Sequence, residues 1–301
     1  MAKKAKIARR KIAVRRKIAI KKAQQIDETV ALRAEIALLK QELAACQVAP
    51  LQAGECVTQS IGKRPYQEDR YVVTNITLPS QARAKLWALF DGHGGAIVAE
   101  LLVKAFPRAI ATALMSVATN VEDAIVTACL NLDAQFKERA GSTAVAILVY
   151  NGTLYTINIG DSRAVVRLAT GTVIQTIDQK PPEGRIYNSN AFVLDGYLNI
   201  RTQTGGVRGL GVGAAFGDID YKEATGGAFN AMPVVNAYPL ARAYNPINAV
   251  LASDGLWDVV KSDEVATMLQ HPQPTLCQDL VSLATRRGST DNITVMAIQH
   301  A

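Results

Sequence analysis

The residues best able to do chemistry in this chain are acids placed where strands should stop. Asp91 follows the apolar run Lys85 to Phe90 and opens Asp91-Gly92-His93-Gly94-Gly95, and Asp254 follows Ala249-Val250-Leu251-Ala252 one serine later. Asp161 ends another β-rich run in Gly160-Asp161-Ser162-Arg163, Asp291 opens the last such run, and Glu68 and Asp69 stand side by side before Tyr71-Val72-Val73. Taken singly, an aspartate at a strand end is commonly a turn former. Taken together, carboxylates at the ends of several core strands would converge on one edge of a sheet, and such a cluster repels itself unless cations neutralise it. Oxygen-only ligands completed by water suit Mg²⁺ or Mn²⁺. Two such ions sharing a carboxylate would acidify a water between them, and a phosphate ester is the natural substrate for that nucleophile. Arg64, four residues before Glu68, carries a fork that matches phosphate oxygens. His93, two residues past Asp91, is placed to protonate a leaving alkoxide; without Asp91 beside it, a turn histidine with no task would be the better reading.

The elements that must position these groups are mixed. Ala96 to Ala118 has helical composition, and Asn120 has the character of an N-cap before Val121, Ile125, Ala128, Leu132 and Phe136 on one helical face. Thr143 to Tyr150 and Thr153 to Ile159 are joined by Asn151-Gly152, a strong hairpin signal. Short strands are expected at Ala164 to Leu168 and Val173 to Ile177, with Ser262 and Thr275 capping two helices before a last strand, Asn292 to Ile298. Antiparallel strands with helices in pairs argue for an α+β layering over a doubly wound fold.

Composition bounds the reading. The chain has 301 residues, 49% hydrophobic and 20% charged, and its longest apolar run, Ala144 to Tyr150, is far too short to cross a bilayer. The net charge of +7 belongs to one end. Residues 1–22 hold 11 basic residues and no acid, leaving 22 basic against 26 acidic residues, a net of −4, for the rest. Ile7, Val14 and Ile18 share a helical face in that segment, and Leu32, Ile36, Leu39 and Leu43 follow a short coiled-coil spacing, so residues 1–50 read as a basic helical extension before a domain at 51–301. The extension is read as a solvated helix, a nucleic-acid or anionic-membrane contact, or a transit segment, and sequence leaves these open. Cys46, Cys56, Cys129 and Cys277 show no paired spacing, which predicts no disulfide framework, a reducing compartment and a cytoplasmic or nuclear location.

The blocks Arg64-Pro-Tyr-Gln-Glu68-Asp69, Phe90-Asp91-Gly92-His93-Gly94-Gly95, Gly141-Ser142-Thr143-Ala144, Gly160-Asp161-Ser162-Arg163, Asp178-Gln179-Lys180-Pro181, Ala215-Phe216-Gly217-Asp218, Leu251 to Val259 and Gly288 to Val295 occur in this order. This set resembles the metal-dependent protein serine/threonine phosphatases of type 2C. The resemblance implies two central antiparallel sheets flanked on each side by paired helices. It also implies hydrolysis of phosphoserine and phosphothreonine in a phosphorylated protein substrate by a water bridging two Mg or Mn ions, in a chain expected to be a monomer. By the same resemblance Asp91 is the bridging ligand, Glu68 and the Gly92 carbonyl hold one ion, and Asp254 and Asp291 hold the other. Asp69 is an outer partner to a metal water, Arg64 binds phosphate and His93 is the general acid. Asp161 and Asp258, with Asp254, resemble positions that hold a third, weaker ion in some members, and Asn292 a supporting asparagine.

There are departures. Gln179 stands where the family usually has histidine, and Gly213-Ala214-Ala215-Phe216 where it has Ser-Arg-Ala-Phe. The stretch Glu183 to Leu198 is shorter than usual, and a flap is expected around residues 219–245. The alternative to an enzyme is a phosphatase-like scaffold anchored by its basic tail; retention of every ligand carboxylate favours the enzyme.

Overall fold

Alternation along the strands separates two apolar layers. In the strand Arg83–Phe90, Leu86, Ala88 and Phe90 enter one cluster while Trp87 and Leu89 enter another. Successive strand side chains point to opposite faces, so a strand apolar on both must be covered on both. The structure, a computed structural model, describes residues 46–48, 54–116, 120–202, 204–240, 247–271 and 273–299. The expected helical extension and coiled-coil spacing at 1–43 lie outside them. The chain divides into a unit at Met1–Ala44 and a unit at Ala45–Ala301, and everything that follows concerns the second.

The first half of the domain runs β1 (Cys46–Val48), β2 (Glu55–Ser60), β3 (Arg70–Thr77), β4 (Arg83–Phe90), β5 (Gly92–His93), α1 (Ile97–Ser116), α2 (Val121–Asp133), β6 (Gly141–Ser142), β7 (Ala144–Tyr150), β8 (Thr153–Ile159), β9 (Arg163–Arg167) and β10 (Val173–Gln175). The second runs β11 (Ile186–Asn188), β12 (Ala191–Leu194), β13 (Tyr197–Arg201), β14 (Val207–Leu210), β15 (Phe216–Gly217), α3 (Ile219–Ala224), β16 (Val234–Pro239), β17 (Asn248–Ala252), α4 (Asp254–Trp257), α5 (Ser262–Met268), α6 (Leu276–Arg286) and β18 (Ile293–Gln299).

Two sheets form the centre, ordered β1-β3-β4-β7-β8-β16 and β10-β9-β17-β18-β2, antiparallel at each pairing. Trp87, Val145, Ile147, Leu251, Met296 and Ile298 fill the layer between them. Phe90, Phe106, Ile110 and Ile125 join α1 and α2 to the outer face of the first sheet. Val250, Leu256, Leu276, Leu280 and Val295 join α4 to α6 to the outer face of the second. This is the four-layer α+β arrangement, helices outside two sheets. Each fully buried Leu or Phe adds about 2–3 kcal/mol of transfer free energy.

Local expectations held where a side chain has one available task. Asn120 caps α2, its Oδ1 accepting from the Glu122 and Asp123 amides at 2.8 and 3.4 Å. Asn151 and Gly152 take positive φ of 47° and 72°, as a tight two-residue hairpin demands. Others shifted. Ser262 is the first residue of α5 rather than its cap; its hydroxyl is taken by Arg163 at 2.9 Å, while Glu264 reaches back to the Lys261 amide at 3.0 Å. Thr275 stands before α6 without bonding a backbone amide; its hydroxyl donates to Asp279 at 2.8 Å. Phe136 lies past the end of α2 at Asp133.

A four-stranded sheet, β11-β12-β13-β14, has a core of its own with Val193, Leu198, Ile200, Tyr221 and Phe229. The expected flap span thus supplies Tyr221 and Phe229, whereas the strands come from residues 186–210.

The absence of disulfides is overturned: Cys56 of β2 and Cys277 of α6 are bonded, their Cα atoms 6.1 Å apart. The cysteines are 221 residues apart, so no local spacing announced them, and α6 packs on β2 and β18 to bring them together. The bond closes a loop around nearly the whole domain and restricts the unfolded chain. The argument for a reducing compartment goes with it.

Candidate active site

The two central sheets end on a common acidic edge. Asp91 follows β4, Asp161 follows β8, Asp254 comes two residues after β17, and Asp69 and Asp291 precede β3 and β18. Asp91 keeps partial contact with solvent, yet protein atoms crowd its carboxylate. Burial, then the charges of Asp69, Asp254, Asp161 and Asp291, hold it well above the usual carboxylate range. Asp254 is pushed up to about 7 by burial and by Asp161, Asp258 and Asp291. Asp258 is the most open of the set; burial and neighbouring acids raise it against the pull of Lys180. Asp69, Asp91, Asp161, Asp254, Asp258 and Asp291 therefore lie near enough to act on one another's charge.

Asp69 is fully buried. Its Oδ2 accepts from the Thr294 and Ser253 hydroxyls at 2.6 and 2.9 Å, whereas Oδ1 has no hydrogen-bond partner. Burial, with the Asp291 charge, raises its carboxyl to about 6 in spite of those two donors and of the neighbouring Asp91 carboxyl, which also favours the charged form. A buried carboxylate oxygen left unpaired is costly unless a cation or its water meets it. This orphaned oxygen and the mutual repulsion of the acids fit a hard cation with oxygen ligands. Among the described residues no three His, Cys, Asp or Glu side chains are drawn together tightly enough to hold an ion by themselves.

Asn292 organises the loop that carries Arg64 and Glu68. Its Oδ1 accepts from the Glu68 amide at 2.7 Å, and its Nδ2 donates to the Ile61 and Tyr66 carbonyls at 3.0 Å each. Arg64 donates to Asp291 Oδ2 at 2.5 Å, with 55% of its side chain exposed, so the guanidinium stands over the edge in reach of solvent. Asp291, and more weakly Asp254 and Glu68, raise Arg64 further. Gly92 packs against the Glu68 carbonyl so closely that a Cβ would lie 2.7 Å from it, which sets those two backbones side by side.

His93 is positioned by the smallest sheet. Strands β15, β6 and β5 pair so that Gly141 lies opposite both His93 and Gly217. Asp218 follows in a left-handed conformation, φ 52°, and its Oδ2 lies 2.7 Å from His93 Nε2. A side chain on Gly141 would overlap both partners of that bond. Burial alone would discharge the imidazole, but the Asp218 hydrogen bond and charge, with Asp161 and Glu68 behind them, raise His93 above the ordinary histidine value. Phe90, Phe106 and Phe216 stack edge to face at 5.5 and 6.3 Å, tying β4, α1 and β15 together under this pair.

Sequence reasoning missed four partners. Asp218 sat inside a quoted block without a role; Ser253 directly precedes Asp254 and Thr294 stands three residues after Asp291, and that closeness to strand-end acids was the available signal. Lys180, whose Nζ lies 2.5 Å from Asp161 Oδ2, offered none, because nineteen residues separate the two in the chain.

The family model for protein phosphatase 2C matches residues 63–293. The chain belongs to that family. A probable protein phosphatase 2C from Oryza sativa is 31% identical over 266 residues, covering 81% of this chain and 65% of that protein. Another from Arabidopsis thaliana is 30% identical over 259 residues, covering 79% and 65%. The chain thus spans slightly under two thirds of the length of each. Among solved structures, the serine-threonine phosphatase 2C of Toxoplasma gondii superposes with a TM-score of 0.59 at 20% identity, covering 81% of this chain and 94% of that one, a likeness of fold.

Proposed function

We propose that this chain hydrolyses phosphoserine and phosphothreonine in proteins, using two Mg²⁺ or Mn²⁺ ions at the acidic edge. The observation that carries the reading is the convergence of Asp69, Asp91, Asp254 and Asp291 on one edge, with the Asp69 Oδ1 unpaired. Asp91 would be shared between the ions, with Glu68 and the Gly92 carbonyl on one side and Asp254 and Asp291 on the other. Asp69 would accept from a coordinated water, and Asp161 and Asp258 border a place for a third, weaker ion. When bound, such ions neutralise phosphate charge and make a water acidic enough to attack at neutral pH.

The chain's own residues do the rest. Arg64 swings little to exchange one Asp291 oxygen for phosphate oxygens, since its guanidinium already faces solvent beside the carboxylates. Asn292 holds the Arg64–Glu68 loop in register with Asp291. His93, fixed through Nε2 to Asp218, can carry its second proton on Nδ1 and deliver it to the serine or threonine oxygen as the P–O bond breaks. The Asp218 hydrogen bond and charge favour that proton on the ring, raising His93 above the ordinary histidine value.

The test is hydrolysis of a phosphoserine peptide by the full chain. Chelation by EDTA should abolish turnover, and Mn²⁺ should restore it while Ca²⁺, with its looser geometry, restores less. Turnover that persists in chelator would end the proposal.

A further inference from the structure

Two of the departures from the family pattern meet in space. The Gln179 amide donates to the Gly160 carbonyl at 2.8 Å, and the Gln179 side chain returns the bond, its Oε1 accepting from the Gly160 amide at 2.9 Å. Its Nε2 donates to the Met232 carbonyl at 3.0 Å. The Gln179 carbonyl in turn accepts from the Gly213 amide at 2.6 Å. Residue 213 has to be glycine for that approach, because a Cβ there would lie 2.6 Å from the Lys180 carbonyl oxygen and 2.9 Å from that of Gln179. Three separated segments therefore close on one residue: the turn before Asp161, the stretch between β14 and β15, and the stretch leading into β16.

The residue on each side of this clasp is charged and faces the acidic edge. Asp161 follows Gly160, Lys180 follows Gln179, and their side chains are 2.5 Å apart. Asp161 is almost fully buried, 4% exposed, whereas the Lys180 side chain is 53% exposed and would be free to leave if its backbone were not fixed. A long lysine holding one geometry at a half-exposed position loses rotamer entropy, so an isolated pair of this kind would be weakly populated. Backbone restraint on both partners removes part of that loss.

We propose that Gln179 and Gly213 are a matched pair of positioning residues that fix Lys180 on Asp161. Gln179 spans from Gly160 to Met232 by its two amide ends, which a ring in its place would have to do with two nitrogens of different geometry. Gly213 gives the room that this register of residues 179–180 needs. The inference rests on the phosphatase reading only for its consequence: Lys180 and Asp161 lie beside Asp254, so their placement shapes the field at the acidic edge.

The test is Lys180 acylation by an N-hydroxysuccinimide ester, followed by peptide mass spectrometry on the full chain without added metal. Gln179→Met keeps the length of the side chain and removes both of its hydrogen bonds. Gly213→Ser adds the excluded Cβ. Each variant should raise the Lys180 labelling rate about 5-fold, the equivalent of one ordinary hydrogen bond. The double variant should rise no further than about 5-fold, because both changes open the same clasp. Lys222, held on Asp133 at 2.5 Å, serves as the control for general loosening and should label at the wild-type rate throughout. A parallel assay on a phosphoserine peptide should show kcat/KM falling about 10-fold in each variant. Unchanged Lys180 labelling in Gln179→Met, additive rises in the double variant, or equal rises at Lys222 would each overturn the proposal. A chain that labels as expected but shows no phosphatase activity at all would leave the clasp standing and remove the reading of function.

Discussion

Two sets of carboxylates share the acidic edge, and the fold treats them differently. Asp161, Asp291 and Asp218 each have a basic partner from the chain itself, in Lys180, Arg64 and His93. Asp69, Asp91 and Asp254 form no ion pair among the described residues and are raised by burial and by neighbouring acids, Asp291 for Asp69, Asp161, Asp258 and Asp291 for Asp254, and Asp69, Asp254, Asp161 and Asp291 for Asp91. The first set is held in place by protein charges. The second is left to be neutralised from outside, and a set of buried like charges that the chain does not compensate marks where function opposes stability.

That contrast is broken most directly by making one member of the second set neutral. Asp91→Asn should cost on the order of 10³ in turnover, since every role assigned to Asp91 needs its charge. The same substitution should raise the melting temperature of the metal-free chain by about 3–5 °C, because it removes repulsion and keeps the volume. Phosphopeptide assay and calorimetry in chelator read the two arms, and a lower melting temperature would mean that the uncompensated set is not a source of strain. Arg64→Ala belongs to the first set. KM for a phosphopeptide should rise about 30-fold with a smaller change in kcat. Stability should move by less than about 1 kcal/mol, as the pair is half-exposed and screened. Asp218→Asn keeps shape and tolerates the left-handed backbone, so the chain should fold normally. It should lower kcat about 10-fold and move the alkaline limb of the pH profile downward, because His93 loses the partner that raises it and gives up its proton earlier.

How much of this was legible in the sequence follows the range of the interactions. Strands β4, β7, β8, β17 and β18 were readable because each is a dense apolar run ended by a turn signal, and the Asn151-Gly152 hairpin because its conformation is dictated by two residues. Placing acids at strand ends was enough to put them on one edge once the strands were known to be antiparallel neighbours. What escaped notice was long-range. Lys180 on Asp161, Ser253 and Thr294 on Asp69, and Cys56 on Cys277 depend on packing between elements far apart in the chain. The four-stranded sheet of β11 to β14 escaped for another reason. Its outer face carries Ile186, Leu194, Tyr197 and Val207 in the open, so the alternation of apolar and polar residues that marks a half-buried strand is blurred there.

The pH dependence of stability tests the uncompensated set as a whole. The Asp69 carboxyl is raised from 3.8 to about 6 and that of Asp254 from 3.8 to about 7, and Asp91 is raised as well. A carboxyl whose folded value lies above its unfolded value binds protons more tightly in the folded chain, so the unfolded chain ionises first as pH climbs. Below about pH 4 both states are protonated and nothing is lost. Between pH 4 and 7 the folded state falls behind, and for Asp69 and Asp254 the loss is nearly complete above about pH 7. Glu264, bonded to Arg287 and lowered to about 2, works in the opposite sense, but its window lies below pH 4.5 and the pair lies at the surface. Melts in chelator at pH 5, 6 and 7 should therefore show a melting temperature that declines by several degrees across the series. Asp254→Asn should flatten the slope, and millimolar Mn²⁺ should do the same by supplying the charge that the chain does not. A melting temperature that rises with pH in chelator would show that the buried acids are compensated within the protein after all, and the distinction between the two sets would fail.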